Sequence, residues 1–235
     1  MNMSNKESGL INKNDYLEDI IDDLYEKAII SKELNQESRP TIHVSDLTQE
    51  CMRKCWYRLN GFQPDKKDFK KALPLVHGTM LHEAVNLGGV EHELSLSANI
   101  KFMCPVQAGD GIYSCVYGSL DDIVEIDDEL IICDKKTTKK SIPKEVPDNY
   151  KIQMNIYKLL YFVKTGISID KAAIIYIDKS SAWERHKTLI FKLDDVETTR
   201  EYVLSKLKEL DTKEIPKKVI TFLCPWCPYY SICKP

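Results

Sequence analysis

A mixed α/β fold is predicted by three features of the chain. Helical stripes and strand-like runs alternate along it, its most regular helical segment lies between two strand-like runs, and 43% of its 235 residues are hydrophobic, enough for one sizeable core with a small appended lobe. Taken in order, residues Asp15 to Glu33 carry Tyr16, Ile20, Leu24 and Ala28 or Ile29 at helical spacing. Leu73 to Leu87 reads as the next helix, ending at Gly88-Gly89. Strand-like runs follow at about 90–104, 112–126 and 129–138, and Asp127-Asp128 reads as a hairpin turn between the last two. Asp148 to Lys164 is helical in pattern, with Asp148 near its start and Gly166 just past its end. Strands near 171–178 and 184–192 precede a helix over about 194–211. There is no internal repeat, no low-complexity linker and no Walker-type phosphate loop, so no ATP motor is recognisable.

Chemistry concentrates in four short signals: Gly78-x-x-x-His82, Gly118-x-x-Asp121, Asp134-x-Lys136 and Gln153-x-x-x-Tyr157. Asp121 and Asp134 fall on the two strands of the expected hairpin and can lie near each other, where two carboxylates repel unless a cation stands between them. Magnesium or manganese takes carboxylate, carbonyl and water oxygens, and manganese tolerates an imidazole. The expected metal ligands are therefore Asp121, Asp134, the carbonyl after Asp134, and His82. Asp122 competes with Asp121, which is favoured because it keeps the Gly-x-x-Asp spacing. Lys136 shares a strand face with Asp134 and can orient the attacking water or stabilise charge on a scissile phosphate, whereas Lys135 should point away. Gln153 and Tyr157 stand one helical turn apart and would line the site. Each signal alone is weak: a charged triplet on a strand edge or a histidine on a helix is common, and their order carries the weight.

Eight cysteines stand at 51, 55, 104, 115, 133, 224, 227 and 233. The first residues are polar with no apolar core, and no run approaches a membrane span, so a cytoplasmic chain with reduced thiols is expected. Clustered cysteines then read as metal ligands rather than disulfides. Cys224-x2-Cys227-x5-Cys233 supplies three thiols, and Cys51 or Cys55 the fourth. Cys51, Cys55, Cys224 and Cys227 would suit tetrahedral zinc; Cys51, Cys224, Cys227 and Cys233 would suit a cubane iron-sulfur cluster, and spacing alone does not choose. Cys104, Cys115 and Cys133 sit in strand-like apolar runs and read as packing residues.

The net charge of −3 gives no global nucleic-acid signal, but charge is segregated. Residues 15–37 hold eight acids and two lysines, residues 51–71 hold seven Lys/Arg against two acids, and residues 135–151 hold six lysines against two acids. The two basic tracts flank the expected sites as a phosphate track would, with Arg53, Lys54, Arg58, Lys139 and Lys140 as the candidate contacts; the plain alternative is a solvated basic face. Trp56 and Tyr57 among those charges could stack on bases, and Trp226 reads as packing around the cofactor.

The ordered motifs resemble the RecB-like branch of the PD-(D/E)xK nucleases, with Asp in the third motif where Glu is frequent. One cysteine before the core and three after it, the first in a Cys-x-Arg-Lys-x-x-Tyr context, resembles the iron-sulfur RecB-family exonucleases, including the CRISPR-associated nucleases. The resemblance runs from about Ser45 to Cys233. It implies a RecB-like core over 73–212 and an iron-sulfur lobe built from 41–72 and 213–235, and leaves the acidic N-terminal helical segment, 1–40, unexplained. It also implies a 4Fe-4S cluster on Cys51, Cys224, Cys227 and Cys233, and Mn2+ or Mg2+ at His82, Asp121 and Asp134. The implied activity is 5′-to-3′ exonuclease action on single-stranded DNA, trimming DNA for CRISPR spacer acquisition, with integrase proteins as partners and a homo-oligomer as a further possibility. Two other classes compete. One is a DNA-positioning subunit with little activity; the other is a zinc-stabilised nucleic-acid-binding protein, which would be colourless and iron-free.

Overall fold

The computed structural model describes residues 20–30, 41–65, 69–101, 103–105, 115–138, 141–178, 186–211 and 214–234. In chain order these form α1 (20–30), β1 (Ile42–His43), α2 (Val44–Leu47), α3 (Arg53–Leu59), α4 (Phe69–Ala84), β2 (Glu91–Asn99), β3 (Cys104–Pro105), β4 (Cys115–Ile126) and β5 (Glu129–Thr138). Then come α5 (Asp148–Thr165), β6 (Lys171–Asp178), β7 (His186–Lys192), α6 (Val196–Leu210), a 3-10 turn at Cys224–Trp226 and α7 (Tyr230–Cys233). The strands make one sheet in the order β3-β2-β4-β5-β6-β7, with β1 added alongside β4. All neighbours are antiparallel except β5–β6 and β1–β4. No described helix is long and apolar enough to cross a membrane.

The hairpin turn, α5 and the strands after it follow the local pattern. Asp127 and Asp128 have φ of 53° and 62°, the mirror-image turn whose twist matches flanking strands, and Asp tolerates that left-handed region better than most residues. Helix α5 buries Met154, Ile156, Leu159 and Leu160 in the core that includes Leu120, Ile132 and Ile174, and stops at Gly166 with φ of 76°. Helix α6 is capped by Asp195, whose side chain accepts from the Thr198 amide at 2.8 Å, and joins the same core through Val203, Leu207 and Leu210.

Two helices differ from expectation. Helix α4 begins at Phe69 rather than Leu73 and holds Pro74 inside it. Tertiary packing carries that early turn: Phe69 meets Tyr25 of α1 edge-on at 5.8 Å, and Ala72 and Val76 are buried with Ile29. In α1 only Ile29 of the expected stripe is buried, while Ile20 and Leu24 face solvent; Tyr16 lies outside the described residues.

A fork in the sheet places the site. The β4–β5 pairing runs from the turn to Asp122↔Cys133 and ends there, while β4 extends back to Cys115 and β5 forward to Thr138. Beyond the fork β5 stays paired with β6 through Thr138↔Asp178, and β1 takes up the edge of β4 at Ile42↔Val116 and His43↔Tyr117. Asp121 and Asp134 are the first residues past the last β4–β5 pair, where the strands part.

The two cysteine-bearing arms meet beside this core. Arg53 donates from Nε to the Pro216 carbonyl at 2.6 Å and from Nη1 toward Cys233 Sγ at 3.8 Å. The Asp65 amide donates to the Pro228 carbonyl, its carboxylate accepts from the Ser231 amide at 3.0 Å, and the Tyr57 and Tyr229 rings lie 5.4 Å apart.

Candidate active site

Side-chain alternation assigns the acidic residues to faces. Along β5, Ile132 joins the main core while Ile131 and Cys133 form a second cluster on the other face, so Asp134 and Lys136 follow Ile132 toward α5 and Lys135 follows Cys133. Along β4 the alternation breaks: Leu120 and Ile123, three apart, both belong to the main core. The break falls opposite Glu93 of β2, which lies between the pairs His92↔Asp122 and Leu94↔Leu120 and has φ of 48°. Consecutive acids consequently point to different partners. Asp121 accepts from His82 Nδ1 at 2.7 Å and from the Lys135 amide at 2.9 Å. Asp122 pairs with Lys135 Nζ at 3.0 Å and with His92 Nδ1 at 2.8 Å.

Around Asp134 the polar contacts come from β5 and α5. Lys136 Nζ sits 2.6 Å from Asp134 Oδ2 and 5.2 Å from the centre of the Tyr150 ring. The Gln153 amide donates to Asp134 Oδ1 at 3.5 Å and to the Tyr157 hydroxyl at 3.3 Å. Asp121 and Asp134 are only 7% and 2% exposed, so solvent does little to screen them. Burial raises the Asp134 carboxyl, and the Asp121 charge adds to that, against the opposing pull of Lys136. Burial raises Asp121 too, but its bond to the His82 imidazole, the Lys135 amide and the Lys136 charge together hold it below the ordinary carboxylate range. Lys136 is desolvated, yet the Asp134 and Asp121 charges keep its ammonium above the usual lysine value. The pair of carboxylates is thus balanced by two cationic or proton-donating side chains on opposite sides.

Tyr157 is desolvated and held neutral well above its ordinary pKa, Asp134 adding to the effect. Its ring explains the glycine of the second motif. A Cβ on Gly118 would stand 2.7 Å from Tyr157 Cε1 and 2.7 Å from Val44 Cγ2. Gly118→Ala is expected to cost about 1–3 kcal/mol in urea denaturation and to push the Tyr157 ring off the strand, read as a changed tyrosine environment in near-ultraviolet dichroism.

Four residues take places that the sequence reading did not assign. Lys135 does leave the Asp134 face, but it turns inward: its side chain is 1% exposed and bonds Asp122 and the carbonyls of His82 and Val85. Asp122 and His92 complete that cluster. The available signal was a lysine at the end of an apolar run, Leu130-Ile-Ile-Cys, one strand away from an unassigned aspartate. Glu93 is the fourth, set at its positive φ across from Asp121 with its charge felt by Tyr157.

Among the cysteines, Cys55 stands apart. It is 2% exposed, accepts from Arg58 Nη2 at 3.6 Å, and burial pushes its thiol up to about 12. Cys51, Cys224, Cys227 and Cys233 are half-buried free thiols. Burial raises Cys227, and the neighbouring Cys51 and Cys233 contribute in the same sense. Cys224 Sγ accepts from the Thr221 amide at 3.3 Å, and its carbonyl accepts from the Cys227 amide at 3.0 Å. Cys115 and Cys133 are buried as packing residues; the side chain of Cys104 lies outside the description. Among the described residues no three or more His, Cys, Asp or Glu side chains stand in a ligating arrangement.

The basic and aromatic expectations need correction. Arg58 is committed internally, to Asp46 at 2.5 Å and to the Thr41 carbonyl at 2.7 Å, and Arg53 holds Pro216. Lys54 is half-buried, and Lys139 and Lys140 lie outside the described residues. Trp56 and Tyr57 are buried in an aromatic cluster with Phe62 and so are not a stacking surface, whereas Trp226, expected to pack, is 60% exposed. Packing on the C-terminal arm is done instead by Tyr229, which is 2% exposed.

Comparison with known proteins agrees with this architecture. The family described as the PD-(D/E)XK nuclease superfamily matches residues 18–234. No curated protein matches. Among solved structures, the crystal structure of SSO0001 is 20% identical over 88% of this chain and 95% of that one, with a TM-score of 0.56, a likeness of fold. The alkaline exonuclease LHK-Exo from Laribacter hongkongensis is 17% identical over 77% of this chain and 92% of that one, with a TM-score of 0.38.

Proposed function

The chain belongs to the PD-(D/E)XK nuclease superfamily, and on that premise we propose that it is a divalent-metal-dependent deoxyribonuclease acting as an exonuclease on single-stranded DNA. The observation that carries the reading is the convergence, at the fork between β4 and β5, of two bonded groups, His82 with Asp121 and Lys136 and Gln153 with Asp134, near enough that the Asp121 charge acts on Asp134 and the Lys136 charge on Asp121. Hard carboxylate oxygens beside an imidazole are a donor set that fits Mn2+ or Mg2+, and a buried carboxylate whose charge is disfavoured by its neighbour is the environment a cation would relieve. Asp121, Asp134 and the Lys135 carbonyl would hold the ion, with His82 as the nitrogen donor. When bound, such an ion supplies an activated water and a Lewis acid for the phosphodiester. Lys136 then orients the attacking water and offsets charge on the scissile phosphate, Gln153 steadies Asp134, and Tyr157 walls the site and bonds Gln153.

The cysteine arms support a second cofactor, a 4Fe-4S cluster on Cys51, Cys224, Cys227 and Cys233. Their chemistry fits: four half-buried thiols on two arms that touch, with Cys55 removed to its own bond with Arg58. The cluster would join the arms into one lobe, a role in architecture rather than redox. Cys233→Ala is expected to lose iron and brown colour, and Cys55→Ala to keep both; iron and acid-labile sulfide per chain measure it. The reverse pattern points to zinc.

Resemblance to the CRISPR-associated iron-sulfur nucleases supports 5′-to-3′ polarity, trimming of DNA for spacer acquisition, integrase partners and a cytoplasmic setting. Lys54, Lys139 and Lys140 remain the proposed phosphate contacts. The test is cleavage of end-labelled single-stranded DNA by anaerobically purified protein with Mn2+ or Mg2+. Shortening from the 5′ end is expected; an undegraded substrate with either metal overturns the reading in favour of a DNA-positioning subunit.

A further inference from the structure

We propose that Lys135, paired with Asp122, is a positioning residue that sets His82 against Asp121. What His82 does there rests on the nuclease reading above; where His82 sits does not. Lys135 touches both ends of the His82–Asp121 bond. Its backbone amide donates to Asp121 Oδ2 at 2.9 Å, and its ammonium donates to the carbonyl of His82 at 3.3 Å. The ammonium also donates to the Val85 carbonyl and stands 3.0 Å from Asp122 Oδ2 as its ion-pair partner.

His82 lies in the last turn of α4 and Val85 just beyond it, where carbonyls have no partner within the helix and a cation is favoured by the helix dipole. Asp122 extends the hold by accepting from the Leu87 amide at 3.3 Å, and His92 is bonded to the same oxygen at 2.8 Å. The chain from His82 to Leu87 is thereby tied at three points to the β4–β5 pair, on the face opposite Asp134 and Lys136.

Stability does not explain a charged pair in this place. Lys135 and Asp122 are 1% and 0% exposed in their side chains, and apolar residues of similar volume commonly replace a buried ion pair without loss. Apolar side chains cannot, however, direct bonds at the two carbonyls of His82 and Val85. A register between α4 and the strands that would otherwise slide is what those bonds supply.

The double variant Lys135→Met/Asp122→Leu removes both charges together, and Lys135→Arg keeps the charge with a different reach. In full-length 15N-labelled protein, the His82 ring nitrogens, assigned with His82→Gln, are expected to show Nδ1–H bonded to Asp121 in wild type. In both variants they move toward the solvent-exposed imidazole pattern while the melting transition stays cooperative. Calorimetric Mn2+ binding is expected to weaken about 10-fold or more, the size seen when a ligand's orienting partner is lost, and adding His82→Ala brings no further weakening. A folded variant with an unchanged His82 ring signal, or a weakening that adds to that of His82→Ala, overturns the proposal. Should the double variant not fold, Lys135→Arg alone decides it by the same signals. If wild type binds no Mn2+ and cleaves no DNA, the nuclease reading fails and the ring signal still decides the positioning role.

Discussion

Replacing Asp134 by Ala, or Lys136 by Ala, is expected to lower DNA cleavage on the order of 10³-fold, about 4 kcal/mol of transition-state stabilisation, with the far-ultraviolet dichroism and the iron content unchanged. Asp134 is the only acid of the site whose carboxyl is raised, through burial and the Asp121 charge, and it holds Lys136 at 2.6 Å. Losing it removes the anchor of the ammonium and, on the proposed reading, a metal-ligand oxygen. Losing Lys136 leaves the carboxylates in place and removes the charge proposed to face the phosphate. Single-turnover cleavage at saturating Mn2+ separates the two: Lys136→Ala is expected to keep half-saturation near that of wild type, while Asp134→Ala shifts it upward. Cleavage at wild-type rate in either variant contradicts the assignment of these residues to catalysis. On the proposed cluster reading iron retention matters because the two sites stand on different parts of the chain, and loss of colour in Asp134→Ala would show that they do not act separately.

Asp46→Ala is expected to cost about 3–5 kcal/mol of stability in urea denaturation. The Arg58 guanidinium and Asp46 carboxylate are 8% and 10% exposed and 2.5 Å apart, and Asp46 also accepts from the His43 amide at 2.8 Å. Arg58 in turn caps the Thr41 carbonyl and Cys55. This group ties β1, α2 and α3 together, so removing Asp46 leaves a buried cation and an unmatched His43 amide. Glu129→Ala is the control: its pair with Lys171 is about half exposed on both sides, and the expected loss is under about 1 kcal/mol. Equal losses in the two variants would contradict the weight given to burial. Because α3 begins two residues after Cys51, Asp46→Ala is also expected to lower iron retention, which the exposed control should not.

Much of this was legible locally. The strands from Glu129 to Thr138 and Lys171 to Asp178, and the helix between them with Gly166 at its end, follow from patterns of period two and 3.6 that need no distant partner. The shared face of Asp134 and Lys136 follows from the same period. The choice of Asp121 over Asp122 as the site carboxylate rested on motif spacing, since period two alone says nothing of a strand whose alternation breaks. Arg58, Trp56 and Tyr57 lie in a sequence that looks like a basic, aromatic surface, and tertiary partners turn them inward: Asp46 and the Thr41 carbonyl take Arg58, Phe62 packs on Trp56, and Tyr229 of the distant C-terminal arm meets Tyr57.

The sequence by itself determined the order of the long helices and strands and the nuclease superfamily, because hydrophobic period, turn residues and motif order are written within short windows. The tertiary structure alone decided which partner each charge takes. Lys135 meets carbonyls 50 and 53 residues away, and His82 meets a carboxylate 39 residues away. Such pairings depend on where β4 and β5 part, where Glu93 breaks the alternation, and where α4 ends. Those are properties of packed surfaces, in which a buried charge must find its counter-charge wherever the fold has brought one within reach.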